Sequence, residues 1–317
     1  MSVFTSVTHE DLIGFLTEYD VGTLVEHHGI ADGIENSNFF VTTTQGEFVL
    51  TLFERVDPED LPFFMQLTSR LANSGVACMH PVADTSGGFT RKLNGRDAAL
   101  VVRLAGNWLS EHRPRHCEAV GAELARMHLA GLDFPIRRLN GFSNDWMRNV
   151  IEQVRPLASD DDNALLELQM QEIEEAHLGD LPHGIIHADI FQDNVLFEND
   201  ELSGFIDFYY ACYDVLIYDL AITINDWCRT ETGHINADFL EPLMRGYESV
   251  RPLSAEEQSA MPTMLRRAAF RFWLSRLRDK LFPREGEMVL IKNPDIFKNL
   301  LLQHRARPAA EQITTKA

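Results

Sequence analysis

The chain has 317 residues, 45% of them hydrophobic, and a formal net charge of −20. A sequence of this length and composition can bury a large core, which argues against a disordered chain and favours a division into two lobes. The negative charge repels polyanions, so we expect no nucleic-acid partner and no binding to anionic membranes.

The cysteines and the apolar segments indicate where the protein works. The four cysteines are scattered, without a C-x-x-C pair or the spacing of a disulfide framework, at Cys78, Cys117, Cys212 and Cys228. Reduced, buried thiols in a cytosolic protein are the ordinary interpretation. No signal-peptide pattern opens the chain, and no apolar stretch approaches the roughly 18 residues that a membrane span needs. We therefore expect a cytoplasmic protein.

The N-terminal part of the chain shows mainly the alternating pattern of β-strands. Five strands are predicted, at residues 22–29, 37–44, 47–54, 75–83 and 96–104. Two amphipathic helices are predicted as well, over residues 8–19 and 58–73. These elements together would make a small antiparallel β-rich lobe, which we place over residues 1–103.

Beyond residue 103 the apolar spacing becomes helical, and residues 104–317 are predicted to form a second, mainly helical lobe. Its helices are expected at residues 115–130, 143–157, 163–178, 211–229, 239–250, 254–280 and 294–305. The acidic run 159–162 is interpreted as a solvated loop, and the residues from 308 onward as a frayed tail. His128 is expected to pack or hydrogen-bond on the buried edge of its helix.

One stretch within the helical lobe has a different pattern. A short buried-strand pattern at residues 184–186 leads into a polar loop in which Asp189 and Asn194 are separated by four residues. A second apolar run closes the loop, and a polar turn follows it. A returning strand at residues 202–206 then ends at Asp207. The hairpin therefore brings two carboxylates and an amide into one compact unit.

These residue types are the ones that phosphoryl transfer needs. A carboxylate orients and deprotonates the attacking hydroxyl, and oxygen ligands hold Mg²⁺ against the phosphates. Taken one at a time, His187, Asp189 and Asn194 could be ordinary turn residues, since Asp and Asn favour turns. Their spacing, bracketed by apolar runs and followed by Asp207, is that of a kinase catalytic loop and favours a phosphotransferase.

The same motifs resemble those of a known superfamily. The loop of the aminoglycoside phosphotransferase and choline kinase superfamily usually reads His-Gly-Asp-x-x-x-x-Asn, and residues 187–194 here read His-Ala-Asp-Ile-Phe-Gln-Asp-Asn. Within that superfamily the chain is most similar to the homoserine kinases of the kinase-like type. The stretches that carry this similarity are residues 33–39, 60–64, 187–194, 202–209 and 246–253. The last of them is not catalytic in any obvious way.

The resemblance spans nearly the whole chain and implies both a fold and an activity. The implied fold is α+β and bilobal, like that of protein kinases, with a small antiparallel β-rich N-lobe and a larger, mainly helical C-lobe. The implied activity is ATP- and Mg²⁺-dependent phosphorylation of the side-chain hydroxyl of L-homoserine, a small-molecule substrate. Asp189 would be the catalytic base, Asn194 and Asp207 would hold Mg²⁺, and His187 would fix the loop structurally.

The resemblance also implies a nucleotide site in the N-lobe. The segment 33–38 would cover the phosphates, and the backbone around residues 102–104 would meet adenine. The residues assigned to the nucleotide are Asn36, Ser37, Asn38, Thr51, Val102 and Leu104. Thr51 stands where kinase-like folds usually present a phosphate-binding lysine. A hydroxyl brings no charge, so we expect the positive charge to come from the metal or from another basic residue.

The substrate pocket is expected after Asp207, because homoserine is a zwitterion that needs one group of each charge. Asp214 or Asp226 would meet its ammonium group, and Arg271 or Arg278 its carboxylate. Ordinary ion pairs are the alternative interpretation of these four residues. Asp219 resembles a superfamily position that we expect to be structural.

Two other functions fit the same sequence. One is a kinase for another small amino alcohol, such as choline, ethanolamine or an aminoglycoside. The other is a catalytically silent nucleotide-binding protein, which the absence of the lysine favours. The presence of Asp189, Asn194 and Asp207 argues against this second alternative. No pattern in the sequence indicates an oligomeric state.

Overall fold

The computed structural model describes residues 4–30, 36–176, 178–283 and 292–306. The predicted tail from residue 308 and residues 33–35 of the predicted phosphate loop lie outside the described residues. The chain divides into two compact units. The first holds residues up to 107 together with 196–199 and 203–209, and the second holds the remainder. The lobe boundary expected at residues 103 and 104 stays a prediction.

The first unit is built on an antiparallel sheet with the strand order β1-β2-β3-β5-β4. Its strands are β1 (Leu24–Gly29), β2 (Ser37–Thr43), β3 (Gly46–Phe53), β4 (Arg91–Leu93) and β5 (Arg96–Val102). Its helices are α1 (His9–Leu16) and α2 (Leu61–Asn73). Along β2 fully and partly buried residues alternate, as expected of a strand with one face on a core. Leu12 of α1 and Leu50 of β3 are completely buried in that core.

The strand predicted over residues 75–83 is wrong. That segment forms only isolated bridges, at Cys78 and Pro81, and the fifth strand is β4. A proline has no N–H to donate to a neighbouring strand, which prevents regular pairing there. The β4–β5 hairpin turns at Asn94 and Gly95, which both have positive φ, and this dipeptide is the turn signal that the sequence interpretation overlooked.

The second unit is mainly helical. Its helices are α3 (Pro114–Gly131), α4 (Asn144–Val154), α5 (Asp160–Glu175), α6 (Leu216–Trp227), α7 (Ala237–Val250), α8 (Ala255–Leu281) and α9 (Asp295–Ala306). Strands β6 (His183–Ile186) and β9 (Cys212–Val215) of this unit pair with each other. Strands β7 (Val195–Glu198) and β8 (Glu201–Phe205) form a hairpin, most of which belongs to the first unit. Every residue of α6 is buried, so this helix is the centre of the second unit.

Two expectations for this unit are corrected by the structure. The acidic run is no loop, because the Ser159 side chain caps α5 and the three aspartates that follow form its first turn. Serine is a favoured N-cap residue, and negative charge is stabilising at a helix N-terminus. The helix predicted over residues 211–229 begins only at Leu216, because residues 212–215 pair with β6.

Helices α3 and α7 approach each other closely because glycines face the contact. A Cβ atom on Gly246 would lie 2.0 Å from the carbonyl oxygen of Glu118, and one on Gly121 would lie 2.1 Å from that of Leu243. Larger side chains at these positions would force the helices apart. No helix in the described part of the chain combines the length and the apolar composition that a membrane span requires.

Candidate active site

The loop between β6 and β7 carries the predicted catalytic residue. After Ile186 the chain turns away from the strand, passes through Asp189, and makes one 3₁₀ turn over Gln192–Asn194 before β7 begins. The Asn194 side-chain amide donates hydrogen bonds to the Asp189 carboxylate (3.1 Å) and to the Asp189 carbonyl oxygen (2.9 Å). The predicted four-residue spacing therefore brings these two side chains into contact.

The start of this catalytic loop is held by Asp219 of α6. Its carboxylate accepts hydrogen bonds from the backbone N–H groups of His187 (2.7 Å) and Ala188 (2.8 Å). Ala188 has a φ of 65°, a left-handed conformation that costs an L-residue about 1–2 kcal/mol. The two hydrogen bonds offset this strain, so Asp219 has the structural role expected for it. His187 is completely buried, which supports a structural role for its side chain as well.

The end of the loop is held by two further residues of α6. Asp226 accepts a hydrogen bond from the backbone N–H of Gln192 (2.9 Å) and an ion-paired hydrogen bond from Arg229 (3.1 Å). The Trp227 indole N–H donates to the carbonyl oxygen of Ile190 (3.2 Å). The Asp226 carboxylate is buried, and its negative charge is already paired with a cation of the fold. We therefore do not carry Asp226 forward as a ligand for a substrate ammonium group.

The Asp189 carboxyl group has the electrostatics of a general base. Its side chain is only 17% exposed, and burial raises its pKa to about 6. The Arg271 guanidinium, 3.9 Å away, lowers this pKa, whereas the negative charges of Asp193 and Asp226 raise it further. A base is most effective when its pKa lies near the working pH, so this shift is in the useful direction.

Arg271 is held beside Asp189 by aromatic side chains. Its guanidinium lies 3.6 Å from the ring centroid of Phe142 and 3.8 Å from that of Phe272. The residue is 3% exposed, yet its guanidinium makes no hydrogen bond with any described residue. A guanidinium has five N–H donors in a fixed fork that matches a carboxylate. The site therefore presents a rigid cation with its donors available.

The other predicted substrate residues are placed differently. Asp214 accepts a hydrogen bond from the Asn140 side chain (2.7 Å) and one from a backbone N–H, and it is half-buried. Arg278 pairs with its neighbour Asp279 on α8 (2.7 Å). Of the two predicted arginines, Arg271 is thus the one that forms an ion pair with Asp189 among the described residues.

The aromatic pair around Arg271 is not predicted by the sequence. Aromatic residues at helical spacing usually belong to a core, so Phe142 and Phe272 gave no distinct signal. The adjacency of Arg271 and Phe272 was the only available hint.

In the first unit, Asp207 follows β8 in a left-handed conformation (φ 63°). Tyr209, two residues later, packs edge-on against Phe53 and hydrogen-bonds to Thr51. Burial and the nearby Asp207 charge raise the pKa of Tyr209, so it stays a neutral phenol. The Thr51 hydroxyl in turn donates to the Asn38 side chain (2.8 Å). The residue at the usual lysine position is therefore buried and engaged within the sheet.

The residues predicted to face the phosphates are partly used by the fold. The Ser37 hydroxyl accepts from the backbone N–H groups of Phe4 and Thr5 and donates to Glu54. Ser37 is completely buried, so its hydroxyl is not among the phosphate contacts that we propose. The Asn36 side chain accepts a hydrogen bond from the backbone of Glu54 (3.3 Å).

The backbone expected to meet adenine lies at the end of β5. Val102 donates its N–H to the carbonyl oxygen of His80 (3.0 Å), so that donor is already engaged. Leu104 lies just beyond the strand and is half-buried. Arg103 likewise donates its N–H to the carbonyl oxygen of Glu47 (3.2 Å), so within residues 102–104 other backbone groups would have to meet a base.

The predicted metal ligands are oxygen donors. Among the described residues, no group of three or more His, Cys, Asp or Glu side chains is arranged to hold a metal. The Asn194 side-chain oxygen accepts no hydrogen bond from the described part of the chain, and Asp207 offers a carboxylate. Mg²⁺ commonly takes one or two such protein ligands and completes its shell with phosphate oxygens and water. The donor types therefore fit Mg²⁺, although the joint role of the two residues stays a prediction.

A unit with an antiparallel sheet, a helical unit, and an Asp-x-x-x-x-Asn loop held by a buried helix together define a class of protein. They are the features of the protein-kinase-like phosphotransferases. Residues 26–253 match the phosphotransferase enzyme family, and the chain belongs to that family.

Curated relatives cover almost the whole chain. A homoserine kinase of Methylobacillus flagellatus is 44% identical over 313 residues, which is 99% of this chain and 98% of the relative. A homoserine kinase of Neisseria meningitidis serogroup B is 47% identical over 302 residues, which is 95% of this chain and 99% of the relative. The sequence resemblance to the homoserine kinases is thereby confirmed.

Solved structures share the fold at low sequence identity. Amicoumacin kinase hAmiN, in complex with AMP-PNP, Ca²⁺ and Ami, superposes with a TM-score of 0.70 at 15% identity, covering 95% of this chain and 92% of its own. Spectinomycin phosphotransferase APH(9)-Ia, in complex with ADP and spectinomycin, gives 0.67 at 13% identity, with 96% of each chain covered. The predicted α+β, bilobal kinase-like fold class is confirmed.

Proposed function

We propose that the protein transfers the γ-phosphoryl group of ATP to the side-chain hydroxyl of L-homoserine, giving O-phospho-L-homoserine for threonine synthesis. The observation that carries this proposal is the pairing of Asp189, a buried carboxyl with a pKa of about 6, with the available guanidinium of Arg271. Relatives named homoserine kinase, at 44% and 47% identity over nearly the full length, support the choice of substrate.

In this reaction Asp189 would accept a hydrogen bond from the homoserine hydroxyl and then take its proton. The hydroxyl oxygen forms the new bond to the γ-phosphorus atom while the bond to the ADP oxygen breaks. Asn194 fixes the orientation of Asp189 through its side-chain hydrogen bond. Asp219, by holding the loop backbone, keeps Asp189 at the right distance from the hydroxyl.

The nucleotide would be bound through the first unit and a divalent cation. A net charge of −20 repels ATP, so binding needs local positive charge and backbone donors. Mg²⁺ would neutralise the phosphates, with Asn194 contributing an amide oxygen and Asp207 a carboxylate. Asn36, Asn38 and Thr51 would contribute polar contacts without charge.

The substrate carboxylate would pair with Arg271. Its stacking between Phe142 and Phe272 fixes the plane of the guanidinium, which favours a two-bond contact with a carboxylate. Asp214 remains our candidate for the substrate ammonium group, because its carboxylate is half-buried and accepts hydrogen bonds only from uncharged donors, whereas the buried Asp226 carboxylate is already paired with Arg229. A choline or ethanolamine molecule has no carboxylate and would leave Arg271 without this partner.

The test is an ADP-release assay with L-homoserine, choline, ethanolamine and an aminoglycoside, with the product identified by phosphorus NMR. We expect homoserine to be the preferred acceptor and O-phosphohomoserine to be the product. Turnover of choline without turnover of homoserine would refute the assignment. Binding of ATP without turnover of any acceptor would favour the catalytically silent alternative.

We also infer a cytoplasmic location. The four cysteines are free and buried, which is how thiols occur in a reducing compartment. Measuring the activity in fractionated cells would test this inference.

A further inference from the structure

Behind the catalytic loop lies a buried network of five hydrogen-bonded side chains. Its members come from α3, α6, α7 with its C-cap, and α8, and they are His128, Asp219, Tyr247, Arg251 and Glu257. Four of them are completely or almost completely buried, and the Arg251 side chain is 11% exposed. The network includes the stretch 246–253, for which the sequence suggested kinship but no chemistry.

The distances within the network form a continuous line. The His128 Nε2 atom lies 3.2 Å from the Asp219 carboxylate, and its Nδ1 atom lies 2.8 Å from the Tyr247 hydroxyl. Arg251 donates one hydrogen bond to the Tyr247 hydroxyl (3.1 Å) and another to Glu257 (2.7 Å). Asp219 at the far end holds the backbone of the catalytic loop.

The chemistry of Arg251 and of His128 determines the direction of each hydrogen bond in the network. A guanidinium can only donate, so the Tyr247 oxygen accepts from Arg251 and its own O–H is free to donate to His128 Nδ1. Burial lowers the pKa of His128, which keeps the ring neutral. The ring proton is therefore on Nε2, where it donates to the Asp219 carboxylate.

Glu257 and Tyr247 are both held in place by contacts outside the catalytic loop. The Glu257 carboxylate accepts a hydrogen bond from the backbone N–H of Ser254 (3.0 Å) within the capping box of α8. Gly246 lets α7 approach α3 closely, which brings the adjacent Tyr247 within reach of His128. The network is thus anchored independently of the catalytic loop.

We propose that Tyr247 and Arg251 are positioning residues for phosphoryl transfer, because they hold His128 in the Nε2–H tautomer and so keep Asp219 against the N–H groups of His187 and Ala188. Without the Tyr247 hydroxyl, His128 has no donor at Nδ1, and the opposite tautomer becomes accessible. In that tautomer a nitrogen lone pair faces the Asp219 carboxylate, which is repulsive. The strained backbone at Ala188 then loses part of its support, and Asp189 moves with it.

The first test compares Tyr247→Phe with a matched control, Tyr19→Phe. Both changes delete one buried hydroxyl, but the Tyr19 hydroxyl makes no hydrogen bond with any described residue and lies in the first unit. Tyr247→Phe should lower kcat roughly tenfold, the scale of one lost hydrogen bond that acts on the transition state, with the KM values for ATP and homoserine unchanged. Tyr19→Phe should leave kcat unchanged.

The second test follows the loop directly by amide hydrogen exchange. In Tyr247→Phe the peptide that contains His187 and Ala188 should exchange faster than in the wild-type protein, while peptides of α9 should not change. Arg251→Met should reproduce both effects, and Arg251→Lys, which keeps a donor, should restore part of the lost turnover. The double variant of Tyr247 and Arg251 should be no slower than either single variant, since the two act through one bond network.

Wild-type kcat together with wild-type exchange in the folded Tyr247→Phe protein would overturn the proposal. A change in KM with an unchanged kcat would also overturn it, because it would indicate binding and not positioning. If Tyr247→Phe does not fold, Arg251→Lys and its exchange pattern decide the question. The kinetic test rests on the proposed homoserine kinase activity, which the wild-type protein tests by itself. The exchange measurement needs no substrate, so it distinguishes a failure of the positioning proposal from a failure of the proposed activity.

Discussion

Replacing Arg271 by methionine tests the predicted substrate site most directly. Methionine is long and flexible enough to occupy the space between Phe142 and Phe272, so the change removes charge and donors with little loss of packing. A two-bond pair between a guanidinium and a carboxylate in a site sheltered from water is worth about 3 kcal/mol. This corresponds to a fall of roughly a hundredfold in kcat/KM for homoserine.

A substrate analogue makes the test specific for the carboxylate. The compound 3-amino-1-propanol is homoserine without its carboxylate, and it keeps the amine and the reactive hydroxyl. We expect the wild-type protein to prefer homoserine, and we expect Arg271→Met to lose most of that preference while its activity on the analogue changes little. The assay is ADP release with both acceptors at a fixed, saturating ATP concentration.

Two further variants separate charge from geometry. Arg271→Lys keeps the charge but loses the planar fork, so it should lie between the wild type and Arg271→Met. Arg278→Met removes the second arginine of α8, which pairs with Asp279, and should leave the preference intact. Full retention of the homoserine preference in Arg271→Met, or its loss in Arg278→Met instead, would refute our placement of the carboxylate.

Further predictions concern the catalytic base and the contact between α3 and α7. Asp189→Asn should lower kcat at least about a hundredfold, the usual loss for a missing general base, and near-normal turnover would refute that role. Because the pKa of Asp189 is about 6, kcat/KM should fall with acid below that pH, and the midpoint should move to higher pH in Arg271→Met, which lacks the cation that lowers this pKa. Since the folded-state pKa is raised, ionised Asp189 destabilises the fold above it, so Asp189→Asn should increase the free energy of unfolding by about 3 kcal/mol near pH 8 and by much less near pH 4, as denaturant titrations can measure. Gly246→Ala should lower that free energy by about 1–3 kcal/mol, because its Cβ would meet the Glu118 carbonyl oxygen at 2.0 Å.

The catalytic loop and most of the helices could be predicted from the sequence. The Asp189–Asn194 contact is local, so the spacing of the two residues within one loop suffices to predict it. The helices were predictable because their apolar periodicity reflects a single buried face. The secondary-structure predictions were wrong where local patterns are ambiguous, as at the acidic first turn of α5 and the short strand β4.

Which charged residues belong to the site depends on long-range packing, which the sequence does not reveal. Arg271 and Arg278 are seven residues apart, about two turns of α8, so periodicity places both on the same face of the helix. Only the packing of Phe142 from a distant segment shows that Arg271 lies beside Asp189. The hydrogen bond between His128 and Tyr247 joins residues 119 positions apart, and no local pattern contains such a contact. Helix packing creates it, because the close approach of α3 and α7 sets which side chains meet.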